Sequence, residues 1–224
     1  MAVPLVLLAL IPVVIVISAR ARRQHEAEMA DWAAANGFSY QPTSPELAQM
    51  WSGEPFVGGW SGRALDVLTG KTPNGEQFCS FDYTYEQSTG KSTTTVHTWV
   101  LAVRLPAVLP WLTVTQEGIG SRIAEAFGGQ DIKLESDEFN KAFRVESGSQ
   151  AFAYAVLHPR TMEWLLDPHI RGLTPWRITG ADMLHWRAGV PQYEWLLPQV
   201  QLMSQLVRQI PSFVWHDYGR PTVG

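Results

Sequence analysis

The first feature of the chain is an uninterrupted run of uncharged, mostly apolar positions from Ala2 to Ala19. As a helix, about 18 residues at a rise of 1.5 Å each would span roughly 27 Å, close to the ~30 Å hydrocarbon core of a bilayer. Pro12 lies inside the run and would kink such a helix, which membrane helices tolerate. The pattern therefore predicts a transmembrane anchor over residues 1–19, so that the lipid bilayer is the expected partner of residues 2–19.

Three arginines, Arg20, Arg22 and Arg23, follow the apolar run. Positive charge beside a membrane helix stays in the cytoplasm, so these arginines predict a single-pass protein of the plasma membrane whose C-terminal domain is cytoplasmic. The alternative is a cleaved signal peptide, because Ala19 and Ala21 form a small-x-small site. A signal peptide carries its positive charge before the apolar run, and this order favours the anchor.

The remaining chain alternates short β-type patterns with helical ones. Residues 20–36 are rich in helix formers and end at Asn36-Gly37, which predicts a juxtamembrane helical stalk with a glycine C-cap. Residues 37–216 predict one cytoplasmic α+β domain with an antiparallel sheet and packed helices, and residues 217–224 a tail. The fold class is therefore α+β, with an N-terminal transmembrane helix in front of one soluble domain.

Individual elements follow from local patterns. Ser44-Pro45 is a good helix start, because Ser caps a helix and Pro suits its first position. The stretch 93–105 is dense in β-branched residues and predicts a strand ended by Pro106, followed by a separate strand at 112–116. A hairpin is predicted over 176–187, with its turn at Gly180. Apolar residues at spacings of four and three predict a helix with one buried stripe over 192–210.

The strand before the 93–105 strand runs from about residue 76 to residue 86, and the two predict a hairpin. A symmetric turn near Thr89-Gly90 places Asp82 opposite His97 and Ser80 opposite Trp99. The face that carries Phe81, Tyr83 and Val100 is the more apolar one and is the expected core face. The face with Ser80, Asp82 and His97 is expected to be wet.

Composition and charge exclude several classes of protein. The chain of 224 residues has one cysteine, Cys79, so that a disulfide scaffold is excluded and a reducing interior is favoured. Of the 17 Lys and Arg residues, three lie in residues 1–23, which hold no acidic residue, so the remaining chain is net acidic. Nucleic acid is therefore not an expected partner. The ten tryptophans are an unusual number, and Trp suits cores, protein interfaces and headgroup regions alike.

Several segments carry a family resemblance. The block from Phe139 to Leu166, which contains Leu157-His158-Pro159 and Met162-Glu163, resembles a bacterial membrane-anchored family of unknown function. In that family a Thr usually stands where this chain has His158. A longer pattern is similar to uncharacterised actinobacterial single-pass membrane proteins, and it includes Pro110-Trp111-Leu112, Gly128-Gly129-Gln130-Asp131-Ile132 and Pro211-x-Phe213-Val214-Trp215. The resemblance implies an anchored cytoplasmic α+β domain and no particular activity.

The candidate catalytic residues are Asp82, His97 and Ser80, which share one face of the predicted hairpin. A carboxylate that orients an imidazole beside a hydroxyl is the arrangement of a catalytic triad. A cross-strand ion pair on a wet face explains the same residues without catalysis. The other histidines are isolated in sequence, so the sequence predicts no metal site and no cofactor.

The sequence thus favours a non-enzymatic interaction or scaffold protein at the inner membrane surface, which binds an unidentified membrane or cytoplasmic protein. One alternative is a membrane-associated hydrolase that uses His97 and Asp82. A third hypothesis is a small-molecule sensor with a Trp-lined pocket.

Overall fold

The computed structural model describes the backbone of residues 4–118 and 130–221 and the side chains of residues 19–118 and 131–221. The helices in these ranges are α1 (Pro4–Ala35), α2 (Pro45–Ala48), α3 (Asp137–Ala142), α4 (Gln150–Val156), α5 (Pro159–Leu166), α6 (Leu196–Gln209) and α7 (Ser212–Asp217). The strands are β1 (Ser39–Thr43), β2 (Arg63–Lys71), β3 (Gln77–Ser88), β4 (Thr93–Gln116), β5 (Gln130–Asp131), β6 (Phe143–Ser147) and β7 (Trp176–Ala188). Short 3-10 turns lie at Gly59–Ser61, Arg171–Leu173 and Tyr193–Trp195.

The fold prediction needs one correction, which concerns the membrane helix. Across the residues that the structure describes, there is no helix with both the length and the apolar character needed to cross a bilayer. The α+β prediction, with an antiparallel sheet and packed helices, is confirmed, whereas the prediction of a transmembrane helix in front of it is wrong for this described fold. The apolar run itself, apart from Ala19, lies outside the side chains that the structure describes.

Within the described residues, seven strands form one antiparallel sheet in the order β1-β2-β3-β4-β6-β5, and β7 also pairs with β4. The long strand β4 organises the sheet. Its first half lies between β3 and β7, and its second half lies between β6 and β7. A single strand of 24 residues thus joins the N-terminal hairpins to the C-terminal part of the chain.

The sequence predicted strand breaks at Pro106 and Gly180, but β4 and β7 continue through these residues. Pro106 was predicted to end a strand, yet β4 runs through it, because the pairing of β4 with β7 is interrupted between Arg104 and Leu109. A proline there removes no hydrogen bond from the ladder. The predicted hairpin at 176–187 is also wrong: β7 continues through Gly180, whose φ of 61° places an irregularity opposite Leu109.

The β3–β4 hairpin has a different register from the predicted one. Ser88 pairs with Thr93 across a loop of four residues, so that Asp82 lies opposite Trp99 and Ser80 opposite Leu101. The predicted pairs are wrong by two positions along β4. Because side chains alternate with a period of two, a shift of two residues leaves every side chain on its predicted face.

The two faces of the sheet carry two cores of unequal size. The larger core lies between one face and α1 and α3–α7, and it includes the fully buried Leu101, Trp176 and Phe139. The smaller core includes Phe81 and Tyr83, and α2 and the segment 53–62 cover it only in part. Both faces of β3 are therefore buried over residues 80–84. The prediction of a wet face for Ser80 and Asp82 is wrong, since they are 2% and 5% exposed.

Local capping explains where several helices begin. Ser44 accepts a hydrogen bond from the Leu47 N–H, and Pro45 occupies the first helical position, as predicted. Ser136 and Ser149 cap α3 and α4 in the same way. The predicted stripe of α6 is also confirmed, because its members are buried in the larger core, namely Leu196, Val200, Met203 and Val207.

Candidate functional site

Asp82 and His97, the predicted catalytic pair, are in contact. The Nδ1 atom of His97 lies 2.7 Å from the Oδ2 atom of Asp82, on a diagonal between β3 and β4. The Asp82 side chain is 7% exposed, whereas that of His97 is 36% exposed. Burial raises the pKa of Asp82, and the hydrogen bond from His97 opposes that rise. The geometry suits an oriented imidazole, and its role stays a prediction.

Ser80, the third predicted residue, has a different partner. Its hydroxyl oxygen accepts a hydrogen bond from the indole N–H of Trp99 at 2.7 Å, and Ser80 is 2% exposed. A nucleophile must reach both its base and its substrate. Because Ser80 is buried and bonded to Trp99, the arrangement fits a packing role for the hydroxyl.

A second histidine–aspartate pair, which the sequence analysis did not identify, lies at the interface of α1 and β2. The Nε2 atom of His25 is 3.0 Å from Asp66 Oδ2, and the Tyr40 hydroxyl donates to Asp66 Oδ1 at 2.7 Å. Asp66 lies at an irregularity of β2 with a φ of 50°, a conformation that Asp tolerates better than most residues. This contact fixes α1 on the sheet, and sequence spacing gives no signal for it.

The predicted membrane-flanking arginines lie on exposed turns of α1. Arg20, Arg22 and Arg23 are all exposed, and Arg22 Nε is 2.9 Å from Glu26 Oε1. Such an i,i+4 pair at the surface contributes only about 0.3–0.5 kcal/mol.

In the part of the chain that the structure describes, no group of three or more His, Cys, Asp or Glu side chains is arranged to hold a metal ion. The pairs His25–Asp66 and His97–Asp82 are hydrogen-bonded contacts between elements.

A concave surface lies on the sheet face that α2 covers only in part; we call it the α2 groove. Its volume is about 860 Å³, within the roughly 300–1,000 Å³ of small-molecule sites. Residues 36–39 are part of its lining. One wall is α2 and the turn after it, and the floor crosses four strands, β2, β3, β4 and β7. The wall and floor residues are Leu47, Met50, Trp51, Thr69, Gly70, Lys71, Gln77, Phe78, Cys79, Ala102, Arg104 and Asp182.

Trp51 holds the wall of the α2 groove in place. Its indole N–H donates to Asp182 Oδ2 at 3.2 Å, and its ring stacks parallel to that of Phe81 at a centroid distance of 6.1 Å. Asp182 Oδ1 also accepts from Arg104 at 3.2 Å. Burial raises the pKa of Cys79 on the floor to about 12, so its thiol stays protonated and behaves as a small apolar group. Cys79 therefore presents no thiolate to the groove.

The segment that begins in the wall at Met50 and ends at Trp60 exposes three large apolar side chains. Met50, Val57 and Trp60 are 53%, 55% and 96% exposed. Trp60 lies in the short 3-10 turn Gly59–Ser61. The three side chains lie within eleven residues of sequence, and Trp is among the residues most enriched in binding hot spots. We call residues 50–60 the apolar loop.

Comparison with known proteins gives a fold likeness. The class that the structure defines is an α+β protein with one bent antiparallel sheet, a helical core on one face and an open groove on the other. The chain is similar in structure to a mycobacterial protein, the trehalose monomycolate transport factor A, with a TM-score of 0.56 and 15% sequence identity. The match covers 88% of this chain and 96% of that one. No family model matches the chain, and no curated protein matches its sequence.

Proposed function

We propose that this protein is a non-enzymatic accessory protein of a lipid transport system, and that it acts by binding a protein of that system. The observation that carries the proposal is the likeness to a transport factor over 88% of the chain. Nearly all of the transport factor is matched as well, so the likeness concerns the whole fold and not one common motif.

The geometry of the predicted catalytic residues supports the non-enzymatic part. A hydrolase of the triad type needs a hydroxyl that the imidazole can deprotonate. Here the Ser80 hydroxyl is buried and bonded to Trp99. The Asp82–His97 hydrogen bond then serves to join β3 and β4, a role that needs no substrate.

The apolar loop is the surface that we assign to the partner protein. Trp60 has 96% of its surface exposed and can enter a pocket of a partner without any rearrangement of the core. An exposed Trp in a solvated monomer contributes nothing to folding, whereas one buried in an interface contributes about 2 kcal/mol or more.

We place the complex at a membrane, on its cytoplasmic face. Lipid transport systems act on membranes, and the single cysteine of the chain agrees with a reducing compartment. The resemblance to actinobacterial membrane proteins also stays part of this proposal. A peripheral association through the partner protein is sufficient for this location.

The experiment that tests the proposed function is site-specific photocrosslinking in the native cells. The full chain carries a photoreactive amino acid at position 60, and a matched control carries it at the exposed position of Glu163 on α5. We expect capture of a membrane transport protein from position 60 alone, and reduced delivery of that system's lipid when the gene is deleted. Equal capture from both positions, or unchanged lipid delivery, would contradict the proposal.

The contact between Asp82 and His97 favours a second candidate function, a membrane-associated hydrolase. This candidate requires that His97→Ala abolish a measured hydrolytic activity while the circular dichroism spectrum and the melting temperature stay unchanged. The accessory role instead requires that partner capture from position 60 survive His97→Ala.

A further inference from the structure

We propose that the α2 groove binds a single-chain anionic amphiphile, with its acyl chain along the α2 wall and its head group at the outer end of the floor. The choice of a lipid rests on the proposed function. The position of the site follows from an apolar row and a polar row of residues that run side by side across the sheet.

The strand register arranges the floor in two rows. The inner row runs through Thr69, Cys79 and Ala102, which are consecutive partners across β2, β3 and β4. These side chains are small or apolar and leave space above the sheet. Leu47, Met50 and Trp51 bound that space at the side. A flexible methylene chain fits this trough, because Cys79, Ala102 and the side wall offer it apolar contacts.

The outer row is polar and carries the basic charge. Lys71 pairs with Gln77 in the sheet, and Arg104, one strand further, pairs with Asp182. Neighbouring strands lie about 4.8 Å apart, so Lys71 and Arg104 start about 10 Å from each other and can both reach one phosphate or carboxylate group. Lys71 is exposed and the Arg104 side chain is 46% exposed, so a head group bound by them would stay hydrated.

Charge complementarity selects an anionic head group. Among the residues that the structure describes, Lys71 has no acidic partner within ion-pair distance, and it is exposed. The carboxylate of the lining, Asp182, is 15% exposed and accepts hydrogen bonds from Arg104 and Trp51, whereas the Arg104 side chain is 46% exposed. The accessible charge of the groove is therefore positive.

The test is photolabelling of the full chain by a defined amphiphile. The protein is kept in a lipid-free amphipathic polymer and illuminated with palmitoyl lysophosphatidylglycerol that carries a diazirine near the end of its acyl chain. We expect saturable labelling that mass spectrometry maps to residues 47–51 or 77–79. Labelling confined to residues 2–19, or labelling that does not saturate, would overturn the proposal.

Two variants and a control sharpen the assignment. Met50→Asp places a carboxylate in the apolar wall and should weaken labelling at least about tenfold, because an unpaired charge would be desolvated there. Val190→Asp is the matched control, since Val190 is 63% exposed and lies outside the groove lining. Equal losses in the two variants would indicate non-specific adsorption and overturn the site.

Lys71→Glu tests the head group. It should weaken labelling by the lysophosphatidylglycerol probe about fivefold, the scale of one exposed ion pair, and should leave labelling by the zwitterionic lysophosphatidylcholine probe almost unchanged. Equal effects on both probes would contradict an anionic head group at this position. Met50 and Lys71 are exposed, so both variants are expected to fold. Circular dichroism of each variant checks this.

The outcomes separate this inference from the proposed function. Saturable labelling of the groove without capture through position 60 would support the groove and overturn the accessory role. Capture without labelling of the groove would overturn the groove and leave the accessory role standing. A dimer in sedimentation experiments that Met50→Asp dissociates would assign the groove to a second copy of the chain and overturn the lipid site.

Discussion

Ser80 and Trp99 are joined by a buried hydrogen bond of 2.7 Å between the hydroxyl oxygen and the indole N–H. Trp99 belongs to the larger core and also lies edge-on to the buried His185 at a centroid distance of 6.5 Å. The hydroxyl thus satisfies a donor that would otherwise be buried without a partner. This relationship gives Ser80 a structural role and leads to the first prediction.

Ser80→Ala should lower the free energy of unfolding by about 1–3 kcal/mol, because it leaves the Trp99 indole N–H buried and unpaired. Urea denaturation followed by tryptophan fluorescence measures the change. Thr94→Ala on the same hairpin is the control, since Thr94 is exposed and should change the stability by less than about 0.5 kcal/mol. Equal stability of Ser80→Ala and the parent protein would contradict the structural role.

In the parent protein, ionisation of Asp82 should lower the free energy of unfolding as the pH rises. Asp82→Asn should abolish this decrease. Burial raises the pKa of Asp82 in the folded chain above its ordinary value of 3.8. In the pH window between the ordinary and the raised pKa, the unfolded chain has lost this proton and the folded chain still holds it. Stability from this group therefore falls as the pH increases through the window, and the neutral amide abolishes the fall. Denaturation at about pH 4 and about pH 7 gives the difference. A decline of the same size in the variant would show that Asp82 is not its source.

His185 should give the opposite pH dependence. It is 1% exposed, its Nδ1 atom is 2.9 Å from the Pro175 carbonyl oxygen, and burial lowers its pKa from 6.5 to about 4. Between these two pKa values His185 is protonated in the unfolded chain and neutral in the folded chain. Stability should thus be complete above about pH 6.5 and fall, by up to about 3 kcal/mol, as the pH approaches 4.

The measurement for His185 is the melting temperature across that acid range. His185→Gln should flatten the profile even if it lowers the stability at neutral pH, because it removes the titrating group. His216→Gln serves as the control, since the His216 side chain is 89% exposed and should leave the profile unchanged. An unaltered acid profile in His185→Gln would rule out His185 as the cause.

Gly62→Ala should destabilise the smaller core. A Cβ atom at Gly62 would overlap the hydroxyl and ring of Tyr83, which is fully buried and accepts a hydrogen bond from the Gly58 N–H. Such overpacking costs about 1–3 kcal/mol. Gly172→Ala is the matched control, because nothing lies within 4 Å of its Cβ position. Thermal denaturation of the two variants measures the contrast, and similar melting temperatures would contradict the packing argument.

The apolar loop gives a prediction on binding alone. Trp60→Ala should leave the free energy of unfolding within about 0.5 kcal/mol of the parent value, because Trp60 is 96% exposed. Affinity for the captured partner should fall by at least about 2 kcal/mol if Trp60 is the anchor of the interface. Denaturation and a binding titration with the purified partner measure the two quantities. A large loss of stability with unchanged affinity would reverse the assignment.

Local patterns in the sequence predicted local features well. The Ser44-Pro45 start of α2, the stripe of α6 and the alternation of β3 and β4 depend on residues within a few positions of each other. Capping, helical spacing and the period of two act over such distances, so the chain itself determines them. The contact between Asp82 and His97 was predicted for the same reason, although the predicted register of β3 and β4 was wrong by two positions.

Tertiary structure decided the rest. Whether Pro106 ends β4 depends on which hydrogen bonds β7 leaves unmade, and Ser80 is buried because helices far along the chain cover its face. The α2 groove joins residues from Asn36 to Asp182, whose proximity only the strand order produces. The sequence alone therefore determined an α+β chain with its caps, stripes and faces. Pairing between distant strands determined where a site could form, because those contacts depend on how the whole sheet is assembled.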